Sequence, residues 1–217
     1  MSFPMRESYP VYSLAADRGR TVAREIIYFS RHGETDWNVS QRIQGQLDID
    51  INDNGRSQAD RNGDMLKSLI GAGAGFDFVA SPLRRTRETM ERIRLRMGLD
   101  PYEYRTDPQL MEVNFGDWQG FMMEDIAKER EDLLEARARD KWNFVPPGAA
   151  AESYMTLSRR IRRWVEAVEW PTVCVTHGGC MRTLFYLYGN MDGHAAANLS
   201  IPQDKLLKFA NGKLEWV

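Results

Sequence analysis

The sequence predicts an α/β fold, a three-layer α/β/α sandwich on a central, mostly parallel sheet. Two observations lead there. Short runs of β-branched and aromatic residues, at Ile26-Ile27-Tyr28-Phe29, from Phe76 to Ala80 and from Thr172 to Thr176, alternate with longer segments whose apolar residues recur at helical spacing. Such alternation favours parallel strands covered by helices on both faces. Each run also stops at residues suited to chemistry: Arg31-His32, Ser81 with the arginines after it, and Thr176-His177. In layered α/β folds, active sites collect at the carboxyl ends of the strands.

In chain order, residues 1–24 mix Pro, Ser, Tyr and charges without a sustained period and are expected to form an N-terminal extension. A single domain is expected over residues 25–217, a length that one layered core can absorb. After the first strand, residues 53–70 open with helix-start chemistry, place Ala59, Met65, Leu66, Leu69 and Ile70 at helical spacing and end at Gly71. The glycine-rich stretch 71–76 follows a helix and precedes a strand, the wrong order for dinucleotide binding. It also lacks the Lys-Ser/Thr of a P-loop, so it reads as a connection. Ser81 and Pro82 are expected to cap and begin a helix running to about Met97. A third strand is expected near Tyr102 to Thr106, then helices near 122–140 and 152–168. The charged run 128–142 reads as a solvated helix face, with Ile126, Leu133 and Leu134 turned inward. A helix over about 179–188 follows the strand ending at Thr176. The tail reads as two strands around an Asn211-Gly212 turn, an antiparallel edge to the sheet.

Composition narrows the partners. Acidic residues number 31 against 29 basic, a net charge of −2, so bulk electrostatics favours neither nucleic acid nor an anionic membrane. No apolar stretch approaches the roughly 20 residues that span a bilayer, and the N-terminus lacks the apolar core of a secretion signal. A cytoplasmic location is the default expectation, with Cys174 and Cys180 as reduced thiols. The expected partner is a small phosphorylated metabolite, and a homodimer is compatible with the chain.

That expectation comes from the strand ends. Two histidines and at least two arginines at one sheet edge form a cationic pocket whose matching ligand is a compact anion such as a phosphate group. Arg84 and Arg85 fall in the first turn of a helix, where free backbone N–H groups and the helix dipole also favour an anion. Gly33, Gly178 and Gly179 let backbone amides approach it. A neutral histidine there can attack phosphorus through one ring nitrogen while the other keeps its proton. The leaving oxygen then needs a proton donor, and the segment 111–120 offers Glu112. Of the chain's three histidines, His194 lies in a separate loop and is not assigned to the site. The Cys174-to-Cys180 segment imitates metal-ligand spacing without a source for a fourth ligand, so no metal is expected. Trp37, Phe115 and Trp118 stand near these residues, as walls of the site or as core.

The chain resembles the histidine phosphatase superfamily, in the branch that includes cofactor-dependent phosphoglycerate mutases and many small-molecule phosphatases. The resemblance rests on Arg31-His32-Gly33-Glu34-Thr35 with Asn38, Arg42, Gln44-Gly45, Asp48, Gly55 and Gln58-Ala59. It continues in Ser81-Pro82-Leu83-Arg84-Arg85 through Thr89, in Glu112 within the segment 112–120, and in His177 with Gly178-Gly179. Thr86 replaces the usual alanine, Asp50 and Asn52 stand where proline and threonine are common, and residues 146–153 stretch the usual Pro-x-Gly-Glu-Ser around Glu152 and Ser153.

The resemblance implies a phosphoglycerate mutase-like fold and a metal-free, cofactor-free phosphatase. In it His32 accepts the phosphoryl group, while Arg31, Arg85, Asn38 and His177 hold its oxygens. Glu112 protonates the leaving group and then activates water. Gln44, Gly45 and Gly178 join Asn38 as phosphate or substrate contacts. Mutases of the family carry a Glu-Arg-x-Tyr-Gly element and an insertion near the acid/base, which this chain lacks, so hydrolysis of a small phosphomonoester is favoured over mutation. The alternatives are a cofactor-dependent phosphoglycerate mutase and a phosphate-binding scaffold without turnover.

Overall fold

The computed structural model describes residues 26–217; the expected extension over residues 1–24 and the start of the domain at residue 25 lie outside the described residues. Six strands form one sheet in the order β3-β2-β4-β1-β5-β6. Strands β1 (Ile27–Arg31), β4 (Thr172–Thr176), β2 (Asp77–Ala80) and β3 (Arg105–Thr106) run parallel. The C-terminal hairpin of β5 (Leu206–Ala210) and β6 (Lys213–Trp216) adds the antiparallel side against β1. Asn211 and Gly212 make its two-residue turn, both at positive φ (52° and 74°), as the twist of a tight hairpin requires.

Side chains alternate across the sheet and split the core in two. Tyr28, Phe78, Ala80, Val173 and Val175 pack with Leu66 of α2 (Asp53–Ile70) and with Met90, Ile93 and Met97 of α3 (Arg84–Met97). Ile27, Phe29, Val79 and Cys174 face the other way. They meet Leu157, Ile161 and Trp164 of α5 (Tyr154–Glu166) and Met181 and Leu184 of α6 (Gly178–Tyr188). These layers are the expected sandwich. A third, smaller cluster of Ile43, Trp118 and Ile126, with Leu133 and Leu134 against it, seats α4 (Met123–Arg139) apart from the sheet. Among the described residues no helix is long and apolar enough to cross a membrane.

Several local expectations are corrected. Leu83, not Ser81, occupies the N-cap of α3, with no side-chain cap, so Pro82 also lies outside the helix. The Ser81 hydroxyl is drawn off to His177 instead. Only Arg105 and Thr106 pair in β3, because Tyr102–Tyr104 turns on itself through an Asp100 side-chain bond to the Tyr102 N–H. Helix α4 breaks at Arg130 (φ −144°, ψ 59°). Two short helices escaped the helical period: α1 (Asp36–Val39), closed by a Thr35/Asn38 capping box, and α7 (Gly193–Asn198), capped by Asp192.

Register places the site. Arg31 lies opposite Thr176 and Ala80 opposite Val175. The next residues, His32, His177 and Ser81, therefore leave the sheet along one edge. The His32 N–H still donates to the Thr176 carbonyl, and the Ser81 N–H to the Val175 carbonyl, each at 3.0 Å.

Candidate active site

The loop after β1 is shaped by a close backbone crossing. A Cβ on Gly33 would meet the carbonyl carbon of Gly55 at 2.7 Å and its Cα at 2.8 Å, so neither glycine leaves room for a side chain. Asn52 fastens the crossing: its side chain accepts from the Gly55 N–H and its own N–H donates to the Glu34 carbonyl. Next along, the Asn38 Oδ1 accepts from the Thr35 N–H at 3.1 Å and from the Gln203 Nε2 at 3.2 Å, which leaves the Asn38 Nδ2 as its free donor.

His32 is 3% exposed, and its Nδ1 lies 2.8 Å from the Gly33 carbonyl. A carbonyl only accepts, so Nδ1 carries the proton and Nε2 presents a bare lone pair. Burial, then the charges of Arg85 and Arg31, push the pKa of His32 well below 6.5, and the ring is neutral at pH 7.

Cations surround it. Arg85 is fully buried and held by the carbonyls of Gly45 and Leu47, both at 2.7 Å; Arg31 donates to the Ile201 carbonyl at 2.7 Å. Burial lowers both guanidinium pKa values to about 10, so both stay charged at neutral pH. His177 lies 5.2 Å from His32 between ring centroids, its Nε2 2.8 Å from the Ser81 Oγ. Burial and Arg85 push its pKa down too. Three buried nitrogens here have no partner among the described residues: Arg31 Nε, Arg85 Nε and His177 Nδ1. Burying donors without acceptors is costly, and a tetrahedral oxyanion would satisfy several at once.

Glu112 completes the arrangement from an irregular loop. Its Oε1 accepts from the Val113 N–H at 2.9 Å and its Oε2 from the Gly179 N–H, second residue of α6, at 3.0 Å. Charge-assisted bonds of this kind aim a carboxylate.

Arg31, His32, Asn38, Gln44, Gly45, Arg85 and Glu112 line one cavity of about 300 Å³. His177, beside His32, and Gly178 adjoin it, with Gly178 placed so that a Cβ would touch Arg31 Nε at 3.4 Å. Gly45 also serves through its carbonyl, and its positive φ of 51° tucks it under the Gln119 side chain. Trp37 and Phe115 are walls, whereas Trp118 belongs to the small third core. His194 is exposed on α7, away from the cavity. Asp50, where proline is common, pairs with Arg84 at 2.9 Å. Sequence reasoning missed Arg182, which lines the cavity. Its position four residues after Gly178 on α6, hence on the same helix face, was the available signal.

A neutral imidazole, a ring of cationic donors with no carboxylate ion pair among the described residues and one oriented carboxylate, at the strand ends of an α/β/α sandwich, define a phosphoryl-transfer enzyme. The chain belongs to the histidine phosphatase superfamily (branch 1), whose sequence profile matches residues 27–213. Glucosyl-3-phosphoglycerate phosphatase of Mycobacterium tuberculosis is 33% identical over 175 residues, 75% of this chain and 74% of that protein. Phosphoglycerate mutase-like protein 4 of Arabidopsis thaliana is 33% identical over 160 residues, 71% of this chain and 67% of that protein. A solved structure of the mycobacterial glucosyl-3-phosphoglycerate phosphatase with VO3 superposes with a TM-score of 0.71 at 26% identity, covering 89% of this chain and 96% of that one. Within the family this chain is a phosphoric monoester hydrolase, a small-molecule phosphatase.

Proposed function

We propose that the enzyme hydrolyses a small phosphomonoester in two displacements at His32, with Glu112 as acid and then base and no metal in the reaction. In the first, the His32 Nε2 forms a bond to phosphorus as the bond to the ester oxygen breaks. Protonated Glu112 gives its proton to the departing oxygen. In the second, Glu112 takes a proton from water, whose oxygen attacks phosphorus as the N–P bond breaks, and inorganic phosphate leaves. Arg31, Arg85, His177 and the Asn38 Nδ2 hold the transferring oxygens throughout. Phosphoryl transfer asks mainly for positioning and charge stabilisation, which this donor set supplies.

The observation that carries the reading is the gathering of two buried, unpartnered arginine Nε–H donors and the unpartnered His177 Nδ1 about a histidine whose Nε2 is bare. For the leaving group, Arg42, Arg182 and the unpartnered Gln44 Oε1 give the remaining walls a polar character suited to hydroxylated or carboxylated metabolites.

The test is phosphate release from a panel of phosphomonoesters without added metal, by the wild type and by His32→Ala. Glucosyl-3-phosphoglycerate and 3-phosphoglycerate belong in the panel, the latter assayed for isomerisation with and without 2,3-bisphosphoglycerate. Release that vanishes in the variant is the expected result. Isomerisation without net release would make the chain a mutase, and binding without turnover would make it a scaffold.

A further inference from the structure

The loop that carries Glu112 follows a single 3-10 turn, Pro108–Leu110, and the carbonyls of residues 109–112 are all engaged by side chains. The Arg160 Nη1, from α5, donates to the Gln109 carbonyl at 2.6 Å and to the Met111 carbonyl at 2.8 Å. The Thr176 hydroxyl donates to the Leu110 carbonyl at 2.9 Å, and the Gln46 Nε2 to the Glu112 carbonyl at 2.9 Å. Arg160 is in turn gripped by Glu152: Nη2 to Oε2 at 2.8 Å and Nε to Oε1 at 3.3 Å, a two-pronged pair with side chains only 15% and 18% exposed. The same Glu152 Oε2 accepts from the Asn114 N–H at 3.1 Å, and the Glu152 N–H donates to the Asn114 carbonyl at 2.8 Å. One ion pair thus clamps the backbone on both sides of residue 112.

We propose that Arg160 and Glu152 are positioning residues for Glu112, holding its loop so that the carboxyl group meets the ester oxygen of a phosphate bound at His32. The inference rests on the reading of Glu112 as acid and base. Neither residue lines the cavity; they reach the chemistry through the loop, with the Arg160 charge also felt by Glu112 and His177. Arginine suits the task because its planar fork makes four such hydrogen bonds from three separated nitrogens, whereas a lysine ammonium has three donors on one nitrogen. The stretched segment before α5 leaves this intact: Ser153 caps the helix, accepting from the Thr156 N–H, and Glu152 sits one residue earlier, facing Arg160.

The decisive measurement is kcat/KM over a series of phosphate esters, from alkyl phosphates to 2,4-dinitrophenyl phosphate, for the wild type, Glu112→Gln, Arg160→Met, Arg160→Lys and Glu152→Gln. This constant covers steps up to the first irreversible one, formation of the phosphoenzyme. A dinitrophenolate leaves without a proton, so losing the acid matters only for poor leaving groups. Misplacing a reacting group by about 1 Å costs about 10²-fold. Arg160→Met is therefore expected to lose about 10²-fold on alkyl phosphates and no more than a few-fold on the dinitrophenyl ester. Inhibition by inorganic phosphate should be unchanged. Glu152→Gln, nearly the same shape, should follow the same pattern more weakly, and Arg160→Lys should fall between. If Arg160→Met does not fold by near-ultraviolet circular dichroism, the other two variants carry the test.

A loss equal across all esters, with Glu112→Gln steep, would make the clamp merely structural and overturn the inference alone. A flat Glu112→Gln series, or a wild type that releases no phosphate, would overturn the reading of Glu112 and this one with it.

Discussion

Replacing Gly179 by alanine should separate folding from catalysis. An ideal Cβ there would overlap the Glu112 Oε1 and stand 3.0 Å from its Cδ. Carbon atoms rest comfortably about 3.5–4.0 Å apart, so the carboxyl group has to withdraw by about 0.5–1 Å. For stability the withdrawal is inexpensive, because the displaced atoms are the far end of a flexible side chain beside an open cavity. Alanine also gains up to about 1 kcal/mol over glycine within a helix. The unfolding midpoint should hold or rise by up to about 4 °C, given the usual few degrees per kcal/mol for a chain of this size. For catalysis the same displacement takes the proton donor off its target, and kcat/KM for alkyl phosphates should fall by about 10²-fold. Thermal denaturation by circular dichroism and phosphate release from an alkyl phosphate test the two halves separately. Wild-type hydrolysis by the alanine variant would refute the role of the Gly179 contact. A collapse of the melting temperature would show instead that the carboxylate cannot yield and that the clash is borne by the fold.

Three further outcomes follow from the buried charges and the tight backbone. His32 and His177 are neutral in the fold with pKa values held below the ordinary 6.5, so below about that pH the unfolded chain binds protons that the native state refuses. Stability present above pH 6.5 should thus decline as pH falls, at up to about 2.7 kcal/mol per pH unit from the pair. His177→Gln should reduce that slope by about 1.4 in urea titrations across pH 5–7, and an unchanged slope would contradict the burial argument. Gly33→Ala forces a Cβ against Gly55 backbone that cannot swing aside, and should cost about 1–3 kcal/mol in urea denaturation; a neutral effect would mean the crossing relaxes freely. Arg85→Lys cannot span the Gly45 and Leu47 carbonyls while facing an anion, so competitive inhibition by inorganic phosphate should weaken by roughly tenfold or more; undiminished inhibition would remove Arg85 from the phosphate site.

What the sequence made legible follows local pattern. Helix α2 begins and ends where the Asn52 cap and Gly71 place it, and the Asn211-Gly212 hairpin forms as its turn residues dictate. The strand-end residues Arg31 and His32 were readable because residue type, apolar run and glycine sit side by side in the chain, whereas Arg85 was told from Arg84 only by the family motif. Partners far apart were not. Ser81 looked like a helix cap because nothing nearby in sequence competes for its hydroxyl; its actual partner, His177, is 96 residues away. Arg160 drew no reading and Glu152 only one as part of the stretched segment before α5, since Arg160 works on carbonyls about 50 residues upstream and Glu152 on Arg160 and the Asn114 N–H. Irregular backbone has no period to read, so the groups that hold it leave no periodic trace.

That difference also divides the site. The groups around phosphorus grow mostly from strand ends and the start of α3, and hydrogen bonding within the sheet fixes His32 and Ser81 before any side chain is considered. Glu112 stands on a loop with no ladder beneath it, and its place depends on contacts lent by α5, α6 and the Gln46 side chain. The groups proposed for phosphate binding and for proton transfer therefore have separate mechanical supports. A chain with every group around the proposed phosphate position intact is expected to lose the second and keep the first when Arg160, Glu152 or Gly179 changes. If the clamp acts as proposed, intact phosphate-site residues alone are a weaker guide to turnover of poor leaving groups than the state of Arg160 and Glu152 behind Glu112.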